Sequence, residues 1–186
     1  MHYVVRIQNL PLWDRFLASY RVVAAQMGRA PEVRALWHGT THPEPLRTIA
    51  HTPQGFDLRV ATTNGKAFGH GVYFHRNACY ADGHAPPDPH CAHLKHLVLS
   101  LVVVGEPCGG RAGMTRPDPA ASGAGQTGGH ICDTAADSID DPSRFVVFES
   151  GGSLAYPLYT VAYKWLEQRC CLAESESESG RSSVNP

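Results

Sequence analysis

Four residues of this chain could do chemistry at a small, polar ligand. His38 stands directly before Gly39 and Thr40, and Tyr73 follows the glycine-bracketed turn Gly69-His70-Gly71. An imidazole both donates and accepts hydrogen bonds near neutral pH. A glycine lets another molecule approach the backbone without meeting a Cβ. Arg144, at the start of the apolar run Phe145-Val146-Val147-Phe148, brings a guanidinium that neither accepts a hydrogen bond nor serves as a base. Taken singly, a His or a Tyr at a strand end is an ordinary core residue. A second cluster, Cys79, His84, His90, Cys91, His93 and His96, offers thiolate and imidazole, the ligands of a tetrahedral zinc site. Its spacing is irregular and holds no Cys-x-x-Cys pair, so polar side chains facing water are the expected reading, and no metal is expected. Cys170-Cys171 reads as an incidental pair.

The elements that must hold these residues follow from periodicity. Trp13, Phe16, Tyr20, Val23, Ala24 and Met27 recur at helical spacing, with Pro11 suited to a first turn and Gly28 to a stop, which predicts a helix over 11–27. Residues 33–38 read as a buried strand delivering His38 to a turn, and 42–50 as a second helix. Strands are predicted at 71–75, 96–104, 144–149 and 156–164, the second of them central because it is apolar nearly throughout. Residues 105–129, rich in Gly, Pro, Ala and Ser, read as a long loop. Many short strands with few helices predict an α+β domain over 1–172. The remaining residues, 173–186, are too polar to fold and read as a disordered tail.

Composition narrows the function classes. With 186 residues the chain suits one domain, and 16 basic against 17 acidic residues give no bulk field for nucleic acid or an anionic membrane. No apolar run is long enough to span a bilayer, and the N-terminus lacks the pattern of a secretory leader. The scattered cysteines read as reduced thiols, so a cytoplasmic or nuclear setting is expected. Neither the 105–129 stretch nor Gly69-His70-Gly71 matches a phosphate loop or a dinucleotide fingerprint.

The order of short motifs carries more than any one of them. Val4 to Trp13, Leu36-Trp37-His38-Gly39-Thr40, Gly55-Phe56, Asn64 to Gly69 and Gly71-Val72-Tyr73-Phe74 are followed by Asp133 to Asp137, Asp141 to Phe148 and Ala155-Tyr156-Pro157-Leu158-Tyr159. Over about residues 3–165 this series resembles the catalytic domain of the poly(ADP-ribose) polymerase family, in its compact mono-ADP-ribosyltransferase branch. The resemblance implies the ADP-ribosyltransferase fold: two packed, mainly antiparallel sheets forming a split β core, with flanking helices. It implies NAD as substrate, cleaved at the nicotinamide–ribose bond, and transfer of one ADP-ribose with inversion at the anomeric carbon.

By that resemblance His38 bonds the adenosine ribose, Gly39 offers backbone groups to the carboxamide, and Tyr73 stacks on the nicotinamide, with Thr40 and Phe68 beside them. Eight residues past Tyr73 the family places a serine and eleven past it an aromatic; this chain has Ala81 and His84. Losing one hydrogen bond to the carboxamide costs about 1 kcal/mol, so weakened NAD binding is expected, unless Tyr80 takes the role. Arg144 falls where polymerising members carry glutamate, which disfavours chain elongation. It either faces the site or points outward with a neighbour filling the slot, Glu149 being the remote candidate. The tankyrase branch carries a structural zinc near the Cys79–His96 segment, yet no metal is expected here. Protein acceptors are implied, the chain's own tail among them; a nucleic-acid end finds no support in charge. Two rivals stay open: a catalytically silent NAD- or ADP-ribose-binding module, and an RNA 2′-phosphotransferase.

Overall fold

A computed structural model describes residues 3–40, 43–58, 67–117, 132–148 and 154–164, without the side chains of 43–45. The 173–186 tail, Cys170-Cys171 and Glu149 lie outside them.

Helix α1 spans Leu10–Met27. The Asn9 side chain caps it by accepting from the Leu12 N–H at 3.3 Å, and Gly28 ends it at φ 65°, a left-handed conformation that a side chain would strain. The buried residues Leu12, Phe16 and Val23 recur along one stripe, so one face of the helix packs on the sheet. Asn9 also donates to the Ala50 and Thr52 carbonyls at 3.2 and 3.1 Å, tying the start of α1 to the end of α2 (Pro43–His51).

The strands are β1 (Tyr3–Arg6), β2 (Val33–Gly39), β3 (Val72–His75), β4 (Leu94–Val103), β5 (Pro107–Gly109), β6 (Thr134–Ala136), β7 (Arg144–Val147) and β8 (Ala155–Lys164). A short helix, α3 (Ala78–Asp82), follows β3. Their order is β1-β8-β4-β2-β3-β7-β6-β5, with every ladder antiparallel except β5–β6. The α+β class and the mainly antiparallel core are therefore as expected. The split falls between β2 and β3, which share the single pair Trp37↔His75. That one pair makes the hydrogen-bonded series continuous, while past it the two halves diverge.

β4 is central as predicted, paired on both sides by β2 and β8. The loop expected over 105–129 begins instead with β5, and its residues 118–131 lie outside the described set. Strands β5 and β6, of three residues each, are too short to show a period, and all four side chains of β1 are exposed.

Alternation along β3 and β7 sorts their side chains onto two faces. Val72, Phe74, Phe145 and Val147 join Leu12, Phe16, Leu36 and Val98 in the main core. Tyr73, His75, Val146 and Arg144 take the other face, with Trp37 and Gly39 of β2 beside them through the Trp37↔His75 pair.

Candidate active site

The site forms where β2 and β3 part. Tyr73 stands on β3 with its hydroxyl tied back to the turn before it: it donates to the Gly69 carbonyl at 2.7 Å and accepts from the Phe68 N–H at 3.1 Å. Burial raises its pKa, so it stays a neutral phenol. Gly69 holds that turn at φ 125°, and a Cβ there would lie 2.7 Å from the Phe148 ring. The Tyr73 ring, half-buried beside Phe68, is thus fixed by both ends.

His38 sits across the split from Tyr73. Its Nδ1 lies 2.9 Å from the Tyr73 carbonyl, and its ring packs against Phe56 and Phe74 at 5.2 and 5.5 Å. Burial lowers its pKa to about 4, so the ring is neutral at pH 7. A carbonyl only accepts, which puts the single proton on Nδ1 and leaves Nε2 as an acceptor. Beyond Trp37 no described strand pairs with His38 or Gly39 on the β3 side, so the β2 edge there is not closed by a ladder.

Gly39 is a steric necessity. A Cβ at this position would lie 2.1 Å from the Ala81 carbonyl oxygen and 3.2 Å from His84 Cβ. The end of α3 therefore packs directly on the Gly39 backbone. Ala81 is buried with Ala85 and Leu97 against Trp37, which accounts for a small apolar side chain at that position. Thr40 is buried next to it, and His84 is exposed with its ring 5.4 Å from Tyr80.

Helix α3 is pinned from below by charge. Lys95, a buried lysine, donates to the Asp82 carbonyl at 3.3 Å and to both Asp82 carboxylate oxygens at 3.2 Å, while the Tyr163 hydroxyl donates to the same carboxylate. Burial, reinforced by that carboxylate, raises the Tyr163 pKa. Removing one partner of a buried pair leaves the other charge uncompensated. Lys95→Met is expected to destabilise the protein by about 1–3 kcal/mol, discounted because Asp82 is partly exposed. It should also loosen α3 above Gly39. Urea unfolding checks the first effect, and hydrogen exchange at 78–85 the second; unchanged protection there would mean that apolar packing alone holds α3.

Arg144 faces this site and does not point outward. Its Nε donates to Asp137 at 3.3 Å and its Nη1 to the Tyr80 hydroxyl at 2.8 Å. The guanidinium carbon lies 4.9 Å from the ring centroids of both Phe68 and Tyr80. Tyr80 in turn stacks on His75 at 4.2 Å. Its hydroxyl is therefore engaged by Arg144, which favours it as a brace for the guanidinium over a substitute donor to a carboxamide. Asp137 anchors the cluster. Burial alone would raise its pKa, but hydrogen bonds from the Arg144 and Ser143 backbone N–H groups, the Ser143 hydroxyl and the Arg144 side chain outweigh it and bring it to about 2.

The cysteine and histidine segment is not drawn together. Among the described residues no three His, Cys, Asp or Glu side chains are placed to hold a metal ion. Cys79 is disulfide-bonded, which removes its thiolate and corrects the expectation of uniformly reduced cysteines. His96 pairs with Asp88 at 3.0 Å, and Cys91 is exposed. His90 and His93 contribute no ring to the site.

Sequence reading missed Asp137, His75, Asp82 and Lys95. Only the last had a usable signal: a lysine inside an otherwise apolar central strand must find a carboxylate.

Residues 1–161 match the family described as the Poly(ADP-ribose) polymerase catalytic domain. Protein mono-ADP-ribosyltransferase PARP12 of Homo sapiens is 34% identical over 161 residues, 86% of this chain and 21% of that protein. Protein mono-ADP-ribosyltransferase PARP14 of Homo sapiens is 29% identical over 162 residues, covering 87% of this chain and 8% of the relative. PARP10 of Mus musculus, with the same descriptive name, is 30% identical over 84% of this chain and 16% of its own length. The chain thus spans about a fifth or less of the length of these curated relatives.

Proposed function

The chain belongs to the poly(ADP-ribose) polymerase catalytic domain family, and from that premise we propose that it is an NAD-dependent mono-ADP-ribosyltransferase domain. It transfers one ADP-ribose to a protein acceptor and releases nicotinamide. The observation that carries this reading is the Arg144 guanidinium, held on the Tyr73 face at the position where an elongating member has a carboxylate.

The roles follow from what each group can do. Neutral His38, with Nδ1–H fixed by the Tyr73 carbonyl, offers Nε2 to a ribose hydroxyl. Gly39 and the unpaired β2 edge meet the nicotinamide carboxamide, and Tyr73 stacks on its ring, an offset contact worth about 1 kcal/mol. Thr40, Phe68, Tyr80, Ala81 and His84 line the same region. Because Ala81 presents no hydroxyl, NAD affinity is weakened by about 1 kcal/mol relative to a serine. An added glycosyl unit would need its own hydroxyl deprotonated for the next transfer, and a guanidinium cannot take that proton. The PARP12, PARP14 and PARP10 relatives are named mono-transferases, which supports the same single-unit outcome. An intracellular setting is part of the proposal, as is self-modification.

Incubation with labelled NAD tests this directly. Label should appear on protein as single ADP-ribose units, matched by nicotinamide release. Ladders of polymer would show that Arg144 does not occupy the elongation position. Saturable NAD binding without any nicotinamide release would favour a silent binding module, the reading suggested by a cation close to a developing positive charge on ribose.

A further inference from the structure

We propose that Arg144 is the specificity-determining residue for the acceptor, and that it selects a carboxylate, the side chain of an Asp or Glu in a protein or peptide. This rests on the transferase reading and deepens it.

Geometry supplies the first argument. The guanidinium plane is fixed on three sides: Asp137 holds Nε, the Tyr80 hydroxyl holds Nη1, and the Phe68 and Tyr80 rings lie 4.9 Å away. No further hydrogen bond engages its remaining N–H groups among the described residues, and a third of the side chain is open to solvent. A planar, braced fork with unused donors matches a carboxylate in a way that a flexible ammonium would not.

The second argument is the shortage of bases around it. Asp137 is saturated by four donors and is a feeble base. His75, the cross-strand partner of Arg144, accepts the Asn77 backbone N–H on Nδ1 at 2.8 Å, so when neutral it carries its proton on Nε2. His38 keeps a lone pair, but it lies across the split and is weakly basic. A hydroxyl or thiol acceptor would therefore find nothing beside Arg144 to take its proton. A carboxylate arrives already deprotonated.

The step then balances without a base. A carboxylate oxygen gives an electron pair to C1′ of the nicotinamide-bearing ribose as the C1′–N bond breaks. Nicotinamide leaves with the bonding pair as a neutral molecule, an ester of ADP-ribose forms, and no proton moves. Meanwhile the carboxylate offsets the Arg144 charge, which alone would oppose positive charge developing at C1′. Charge also favours protein over nucleic acid. A phosphate acceptor would suit the same fork, but with 16 basic and 17 acidic residues the chain carries no field to gather a polyanion.

The test uses this chain with three peptides identical except for a central Glu, Gln or Ser, and with an oligonucleotide bearing a terminal phosphate. The Glu peptide should accept ADP-ribose at least about tenfold faster than the others, the scale of one charge-assisted hydrogen bond. In Arg144→Leu the Glu-to-Gln ratio should collapse toward one, with Arg144→Lys intermediate; melting curves identify a misfolded variant, in which case the Lys variant decides. Equal transfer to Glu and Gln peptides, faster transfer to the oligonucleotide, or a preference retained in Arg144→Leu would each overturn the proposal. Anisotropy of the labelled peptides, read with a benzamide bound, separates the two readings. A Glu preference there that Arg144→Leu abolishes supports anion selection even without nicotinamide release, an outcome that would sink the transferase reading alone.

Discussion

Gly39→Ala is expected to be among the most damaging single substitutions in this protein. Its Cβ would be placed 2.1 Å from the Ala81 carbonyl oxygen, a backbone atom at the end of α3. A flexible side chain could swing away from such a clash, but a carbonyl moves only with its helix. The end of α3 is held by Lys95 and Tyr163 through Asp82, so the strain cannot relax locally. Overpacking against a fixed backbone costs about 3 kcal/mol. Gly39→Ala should lower the urea midpoint accordingly and abolish the thermal shift produced by NAD or a benzamide. A variant that melts like wild type and still binds NAD would show that α3 is free to lift, and that the contact does not shape the site.

Acid should remove a specific part of the stability through His38. Its pKa is lowered from 6.5 to about 4 by burial, so the unfolded chain takes up the proton more readily than the folded one. The contribution is complete above pH 6.5 and is lost as pH falls toward 4, amounting to at most about 3 kcal/mol. His38→Gln removes the titration, so the stability difference between the two proteins should shrink steadily between pH 7 and 4.5; a difference constant over that range would falsify the buried neutral imidazole. NAD affinity should fall in the same window, because protonation converts Nε2 from acceptor to donor. At pH 7.5, NAD at 100 times its dissociation constant should stabilise wild type by about 2.7 kcal/mol. His38→Ala should lose that gain.

Much of the fold was legible in residue order because it is written in periods. The α1 stripe of Leu12, Phe16 and Val23, bounded by Asn9 and Gly28, and the apolar run that became β4 announce themselves locally. Strands of three residues carry no period, so β5 and β6 emerged only with their partners. Helix α3 likewise owes its place to the Asp82–Lys95–Tyr163 contacts, which span 13 and 81 residues of chain.

The site divides along the same line. Residue types fixed what each group could do: Gly39 allows close approach, His38 donates and accepts, and Arg144 cannot act as a base. These are properties of side chains and need no fold. Which way Arg144 faces depended instead on the β3–β7 register, which sets it opposite His75 and on the Tyr73 face. A shift of one residue would have turned it into the core. The tautomer of His38 depended on the Tyr73 carbonyl, 35 residues along the chain, and its neutrality on burial by Phe56 and Phe74. Register and burial are sums over contacts distant in sequence, and only tertiary structure evaluates them.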